Sequence, residues 1–226
     1  MTQFVEKPAT TQSLAQRKPL YGIGINDAAY NVSMMANGKK VRCQFYKIWS
    51  NMIERCYCAK YQEKRPNHKA CTVSNEWLTF SNFRKWMETQ DWKGKALDKD
   101  LLIDGNKEYG KDSCMFVDHS INALMNNHLA GRGLYKQGVT MTKDGKYKAS
   151  CSVNGKMKHL GRFSTENKAY AVYLSFKADL IQSIAVENSH NEKLKQALIT
   201  QSNITTKKII KLLQHDSSDG IVNSLK

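Results

Sequence analysis

The chain has no run of about 18 apolar residues, so no membrane-spanning helix is expected and no membrane partner. Its first twenty residues, MTQFVEKPATTQSLAQRKPL, hold no apolar core, so the protein is expected inside a cell and not secreted. With only 3 prolines and 13 glycines in 226 residues, a collagen-like chain is excluded. At 41% hydrophobic residues, so is a fully disordered one. The six cysteines include no C-x₂-C pair, and in a reducing compartment they are not expected to form a disulfide framework. Acid is scarce. There are 20 Asp+Glu against 35 Lys+Arg, for a formal charge of +15. That surplus points to a polyanionic partner, because neutralising phosphates releases condensed counterions.

Along the chain, residues 1–20 are polar and aperiodic and are expected as a flexible tail. Residues 21–41 suggest two short strands, with Asn37-Gly38 as their turn. Phe45, Ile48, Trp49, Met52, Ile53 and Cys56 recur at three- and four-residue spacing, which predicts a helix over 44–57. A second helix is predicted over 75–89, capped by Ser74, with Trp77, Phe80, Phe83, Trp86 and Met87 along one side. Residues 97–103 and 114–117 then read as strands around a loop at Asp104-Gly105-Asn106. Asp118 can cap a following helix whose apolar face is Ile121, Leu124, Met125 and Leu129, ended by Gly131 and Gly133. The order is ββα.

The pattern changes after Tyr135. Residues 138–143, 146–153 and 156–163 alternate as strands do. Asp144-Gly145 and Asn154-Gly155 between them are two type I′ hairpin signals in succession. Ser164 or Thr165 then caps a helix carrying Ala169, Val172, Tyr173, Phe176 and Leu180. Residues 186–226 read as one or two polar helices. The fold class is therefore α+β: helices, a ββα unit, then a three-stranded antiparallel sheet packed on one helix. Between residues 136 and 162 lie seven basic residues and a single acid, so two fifths of the net charge sits on this sheet. Tyr147, Ala149, Cys151 and Val153 share the face expected to meet the helix. Lys146, Lys148, Ser150 and Ser152 share the other.

Gly138-Val139, Gly145-Lys146-Tyr147, Leu160-Gly161-Arg162-Phe163 and the helix start at Ala169–Tyr173 resemble an APETALA2-type DNA-binding domain. Upstream, Tyr46-x-x-Trp49…Met52…Arg55-Cys56-Tyr57, then Trp77…Phe80…Phe83…Trp86, then Leu97-Asp98-Lys99-Asp100…Gly105-Asn106…Cys114…Val117…Asn122 are similar to a phage HNH-type endonuclease. The resemblance covers residues 21–185. It implies an HNH-like domain at 21–131, an APETALA2-type domain at 132–185 and a helical extension from 186. It also implies a phage protein in the host cytoplasm that binds double-stranded DNA and cuts it as a homing endonuclease does. The alternative is a catalytically degenerate, repressor-like regulator that binds without cutting.

In related domains the outward strand positions touch bases, which implies Thr140, Thr142, Ser150, Ser152 and His159 here. Lys146, Lys148 and Lys158 are expected on phosphates. The plant members' Arg and Trp are missing from several of these positions. By the same resemblance Asp98 and Asn122 would hold Mg²⁺ or another divalent ion, and the general base would fall on Lys99 where the family has His. A free lysine, with a pKa of about 10.4, is protonated at neutral pH and cannot accept a proton. Three readings stay open: a degenerate nuclease kept for binding, a nuclease using another base such as His119, and a structural ββα unit. Asp98, Asp100 and Asp104 are either hard-oxygen ligands or solvated acids. Cys43, Cys56, Cys71 and Cys114, with Cys58 and His68 as substitutes, are either a structural Zn²⁺ site or buried reduced thiols.

Overall fold

The computed structural model describes residues 3–126 and 133–223, with side chains as far as residue 214. It is mixed α+β and falls into two units, Met1–Leu124 and Met125–Lys226. Among the described residues no helix is long and apolar enough to cross a membrane.

In the first unit, α1 (Thr11–Ala15) lies within the stretch expected as a tail. That stretch is more structured than its composition suggested. Pro8 bridges Tyr30, and the Arg17 guanidinium donates to the carbonyls of Asn26 at 3.1 Å and Tyr30 at 2.9 Å. The hairpin of β1 (Ser33–Ala36) and β2 (Lys39–Arg42) turns at Asn37-Gly38, both with positive φ as a type I′ turn demands. α2 (Gln44–Tyr57) matches its periodicity, and its buried face is Trp49, Met52, Ile53 and Cys56. It is followed by the short α3 (Ala59–Lys64) and β3 (Thr72–Val73).

The helix expected over 75–89 is broken. A 3₁₀ turn spans Asn75–Leu78, and α4 runs Phe80–Glu88. The break is tertiary in origin. Thr79 is extended because Ile25 pairs beside it, donating to the Leu78 carbonyl and accepting from the Phe80 amide. Trp49, Trp77, Phe80, Phe83 and Met87 are almost wholly buried, and the Trp49 indole donates to the Trp77 carbonyl at 2.7 Å. Burying each such side chain is worth about 1.5–3 kcal/mol. Trp49 and Trp77 are thus structural.

Next come β4 (Ala96–Asp98), β5 (Glu108–Tyr109), β6 (Met115–Val117) and α5 (His119–Met125). β4 pairs antiparallel with β6, and β5 pairs parallel with β3. The strand expected to reach residue 103 stops at Asp98, where the chain turns. Of the expected end of α5, Leu129 and Gly131 lie outside the described residues.

The second unit holds β7 (Val139–Met141), β8 (Tyr147–Val153) and β9 (Lys156–Phe163) in that order as an antiparallel sheet. α6 (Glu166–Glu187) packs on it, its N-terminus capped by the Thr165 side chain, which accepts from the Lys168 amide. α7 (Glu192–Asn223) returns along α6. α6 has two apolar faces. Ala169 and Tyr173 meet the sheet, while buried Ala178, Ile181 and Ala185 lie along the stretch where the Ser202 hydroxyl of α7 reaches the Ala178 carbonyl at 3.1 Å. The C-terminal residues therefore belong to this unit, and Ile209 packs on the cluster of Cys151, Tyr173 and Leu174.

Candidate nucleic-acid interface

The sheet is held by its backbone turns. Gly138 enters β7 with φ +75, and a Cβ there would lie 2.1 Å from the Tyr173 ring. The Asn154-Gly155 turn has positive φ at both residues, as expected for type I′. The first hairpin differs from expectation. Asp144 keeps a negative φ, Gly145 alone is left-handed, and the Gly145 amide donates to Thr142 while the Thr142 amide donates to Lys146. That is a three-residue loop, a type I turn followed by a left-handed glycine.

One irregularity sets the rest. Ala149 pairs with Gly161, but Ser150 pairs with His159, so Leu160 is an extra residue in β9. Such a bulge reverses the alternation of the bulged strand. Leu160 thereby joins both clusters beneath the sheet instead of facing water. Gly161 carries the bulge at φ +136, and a Cβ on it would meet Phe163 at 2.9 Å.

Two faces result. Val139, Ala149 and Gly161 are in register on the helix side, with Val139 and Ala149 buried on Ala169. Thr140, Lys148 and Arg162 are in register on the opposite side, followed by the pairs Ser150–His159 and Ser152–Met157. Thr140, Ser152, Met157, His159 and Arg162 are exposed, and Lys148 and Ser150 are half-buried.

Of the expected contact residues, Thr140, Lys148, Ser150, Ser152 and His159 come together on this outward face. Thr142 and Lys146 lie at the β7–β8 turn, where the Thr142 hydroxyl donates to the Lys146 carbonyl at 2.8 Å. Lys158 is displaced. It pairs with buried Cys151, and its ammonium lies 4.7 Å from the centroid of the Phe176 ring on α6. Sequence reasoning missed Arg162 and Met157 as members of the outward face. A Leu-Gly step inside an alternating strand was the signal for a bulge. The Asp144 carboxyl is held below its ordinary value by a hydrogen bond from Thr142, so the one acid of the segment stays ionised.

The second candidate site, around Asp98, is built differently. Asp98 is buried, and its Oδ1 accepts from the Asp100 amide at 2.9 Å and the Leu101 amide at 2.7 Å. Burial pushes its carboxyl above the usual range, against those two donors. Lys99 is buried too. Its ammonium donates to the Asn106 carbonyl at 2.8 Å and is ion-paired with Asp100. The Asn106 amide returns two bonds, to the Lys99 carbonyl at 2.8 Å and the Glu108 carbonyl at 2.7 Å. Asn122 is half-buried on α5, its backbone N–H donating to the Asp118 carbonyl at 3.0 Å.

This donor set does not fit a divalent metal with a base beside it. One Asp98 oxygen already serves the turn, and Lys99 is a fixed cation within Coulombic reach of it. Among the described residues no three His, Cys, Asp or Glu side chains gather as a metal site. Cys56 lies within Coulombic reach of Cys71 and Cys114, and all three lie within reach of Lys99, whereas Cys43 sits 3.6 Å from the Tyr30 hydroxyl. Burial pushes the Cys56 and Cys114 thiols up to about 12.

No family model, no curated protein and no solved structure matches the chain.

Proposed function

We propose that this chain binds double-stranded DNA through the outward face of its three-stranded sheet. The observation that carries the reading is the in-register row Thr140–Lys148–Arg162, a polar, basic line set directly opposite the helix-packed row Val139–Ala149–Gly161. β-Sheets and ribbons enter the major groove of B-DNA, where hydroxyl and amide groups reach base edges and lysines reach phosphates. The surplus of basic residues between 136 and 162 supplies the attraction.

Binding to duplex DNA measured over a range of salt tests this. Replacing Lys148 and Arg162 together by Ala should flatten the plot of log affinity against log salt by roughly two charges' worth. An unchanged slope would sink the sheet as the docking face.

Between the cutting and non-cutting versions, the fixed Lys99 ammonium favours the second. A lysine whose terminal nitrogen is committed to the Asn106 carbonyl and to Asp100 is not placed to take a proton from water. The chain is accordingly read as a DNA-binding regulator, phage-encoded and acting in a host cytoplasm, in which an HNH-like unit serves as scaffold. This reading calls for neither Mg²⁺ nor structural Zn²⁺. Supercoiled DNA incubated with the full chain in Mg²⁺ or Mn²⁺ should stay intact. Nicking that disappears in Asp98→Ala would restore the endonuclease reading.

A further inference from the structure

Met157 is 72% exposed, and the bulge at Leu160 places it on the outward face, opposite Ser152 in the next outward-facing pair after Ser150–His159. Every other residue in that register is polar or charged: Thr140, Lys148, Ser150, Ser152, His159 and Arg162. Other exposed apolar side chains, such as Val186 and Leu134, are off the sheet. Met141, on β7, belongs to the helix-side row with Tyr147 and Phe163. A basic face thus carries one large, flexible, apolar side chain, close to the Asn154-Gly155 turn.

We infer that Met157 is a specificity-determining residue that packs against the 5-methyl group of a thymine, giving the face a preference for an A·T pair under the β8–β9 end. The inference rests on the DNA-binding reading above. The major groove presents mostly donors and acceptors, and its one apolar feature is the thymine methyl. The serines and histidine of the face can answer the polar groups; Thr140 adds only a small γ-methyl, and Met157 is the one large apolar side chain there that matches the thymine methyl. An unbranched thioether also adapts its shape to a neighbouring surface better than a β-branched side chain does.

The test uses the full chain and a duplex enriched from a random pool by its own binding. Affinity is measured for this duplex and for the same sequence made with deoxyuridine in place of thymidine, which removes only the methyl groups. Wild-type affinity should fall about fourfold for a single contacted thymine, the equivalent of one buried methyl group. Met157→Ala should bind the two duplexes equally, and Met157→Leu should recover the difference. Because Met157 is exposed, both variants should match the wild-type thermal midpoint. Equal affinity of the wild type for both duplexes overturns the inference while leaving DNA binding intact. So does a loss of the same size in wild type and Met157→Ala. Absence of binding to either duplex overturns both readings together.

Discussion

Lys158 and Phe176 face each other across the helix side of the sheet, with the ammonium 4.7 Å from the ring centroid. A cation over an aromatic face contributes about 0.5–1 kcal/mol at exposed sites. It also holds this lysine away from the face that carries Lys148 and Arg162. Lys158→Ala should therefore lower the thermal midpoint slightly and leave the salt dependence of DNA binding unchanged. Lys148→Ala and Arg162→Ala should each do the reverse. The comparison needs one melting curve and one salt titration per variant.

Gly138 admits no side chain. A Cβ would meet the Tyr173 ring at 2.1 Å, and φ +75 disfavours any L-residue. Gly138→Ala should cost about 1–3 kcal/mol, as overpacking of a tight core does. Urea denaturation followed by circular dichroism measures it. Adding Tyr173→Ala should not restore wild-type stability, since the backbone strain remains and a cavity is added.

Lys99 closes the loop between β4 and β5 through Asp100 and the Asn106 carbonyl. Lys99→Met keeps the stem and removes the donor. It should lose about 1–3 kcal/mol of stability by removing a charged donor from the half-buried Asn106 carbonyl. DNA affinity measured on the folded variant should not change.

The His68 imidazole is held below its ordinary value of 6.5, first by burial and then by the nearby Arg55 and Lys99 cations. The unfolded chain therefore takes up this proton at a higher pH than the folded one. Stability is present above the unfolded value and is lost as pH falls through the folded one. Thermal midpoints should drop as the solution is acidified below about pH 6.5. His68→Phe keeps a ring against Tyr61 and should flatten that part of the profile.

Cys56 and Cys114, both pushed up to about 12, and buried Cys71 should resist iodoacetamide in the native chain at neutral pH, because the thiolate is the reacting species. Half-buried Cys58 should label first. Mass spectrometry of native and urea-unfolded samples reads the difference. Labelling of Cys56 or Cys114 at the rate of an unfolded control would contradict their burial.

Elements whose pattern is local were legible from residues alone. α2 follows its apolar period, Thr165 caps α6, and the Asn-Gly pairs at 37–38 and 154–155 make the hairpins they signal. Features imposed by distant partners were not. Nothing within residues 75–89 announces that Ile25 will extend Thr79 and split the helix. Nothing around Asp98 says that its carboxylate will collect two backbone amides and end the strand. In the candidate interface, Lys148, Ser150 and Ser152 share a face because period-two alternation holds through β8, Thr140 joins them by pairing with Lys148, and His159 joins them through the bulge at Leu160. Lys158 falls on the helix side instead, because the alternation of β9 breaks at Leu160. A bulge is written in the pairing of two strands, and a single strand's sequence carries only the glycine that permits it.

Ile209 of α7 closes the apolar cluster beneath Cys151 and Tyr173, more than fifty residues after the middle strand. During synthesis the sheet consequently lacks part of its support until the chain has been made past that isoleucine. Domains fold as units as they emerge, and incompletely packed intermediates expose apolar surface. A nascent or prematurely terminated product would thus carry the basic segment without a fully packed floor. Competence to grip a duplex arrives late in translation, with the helix that never touches the exposed side of the sheet.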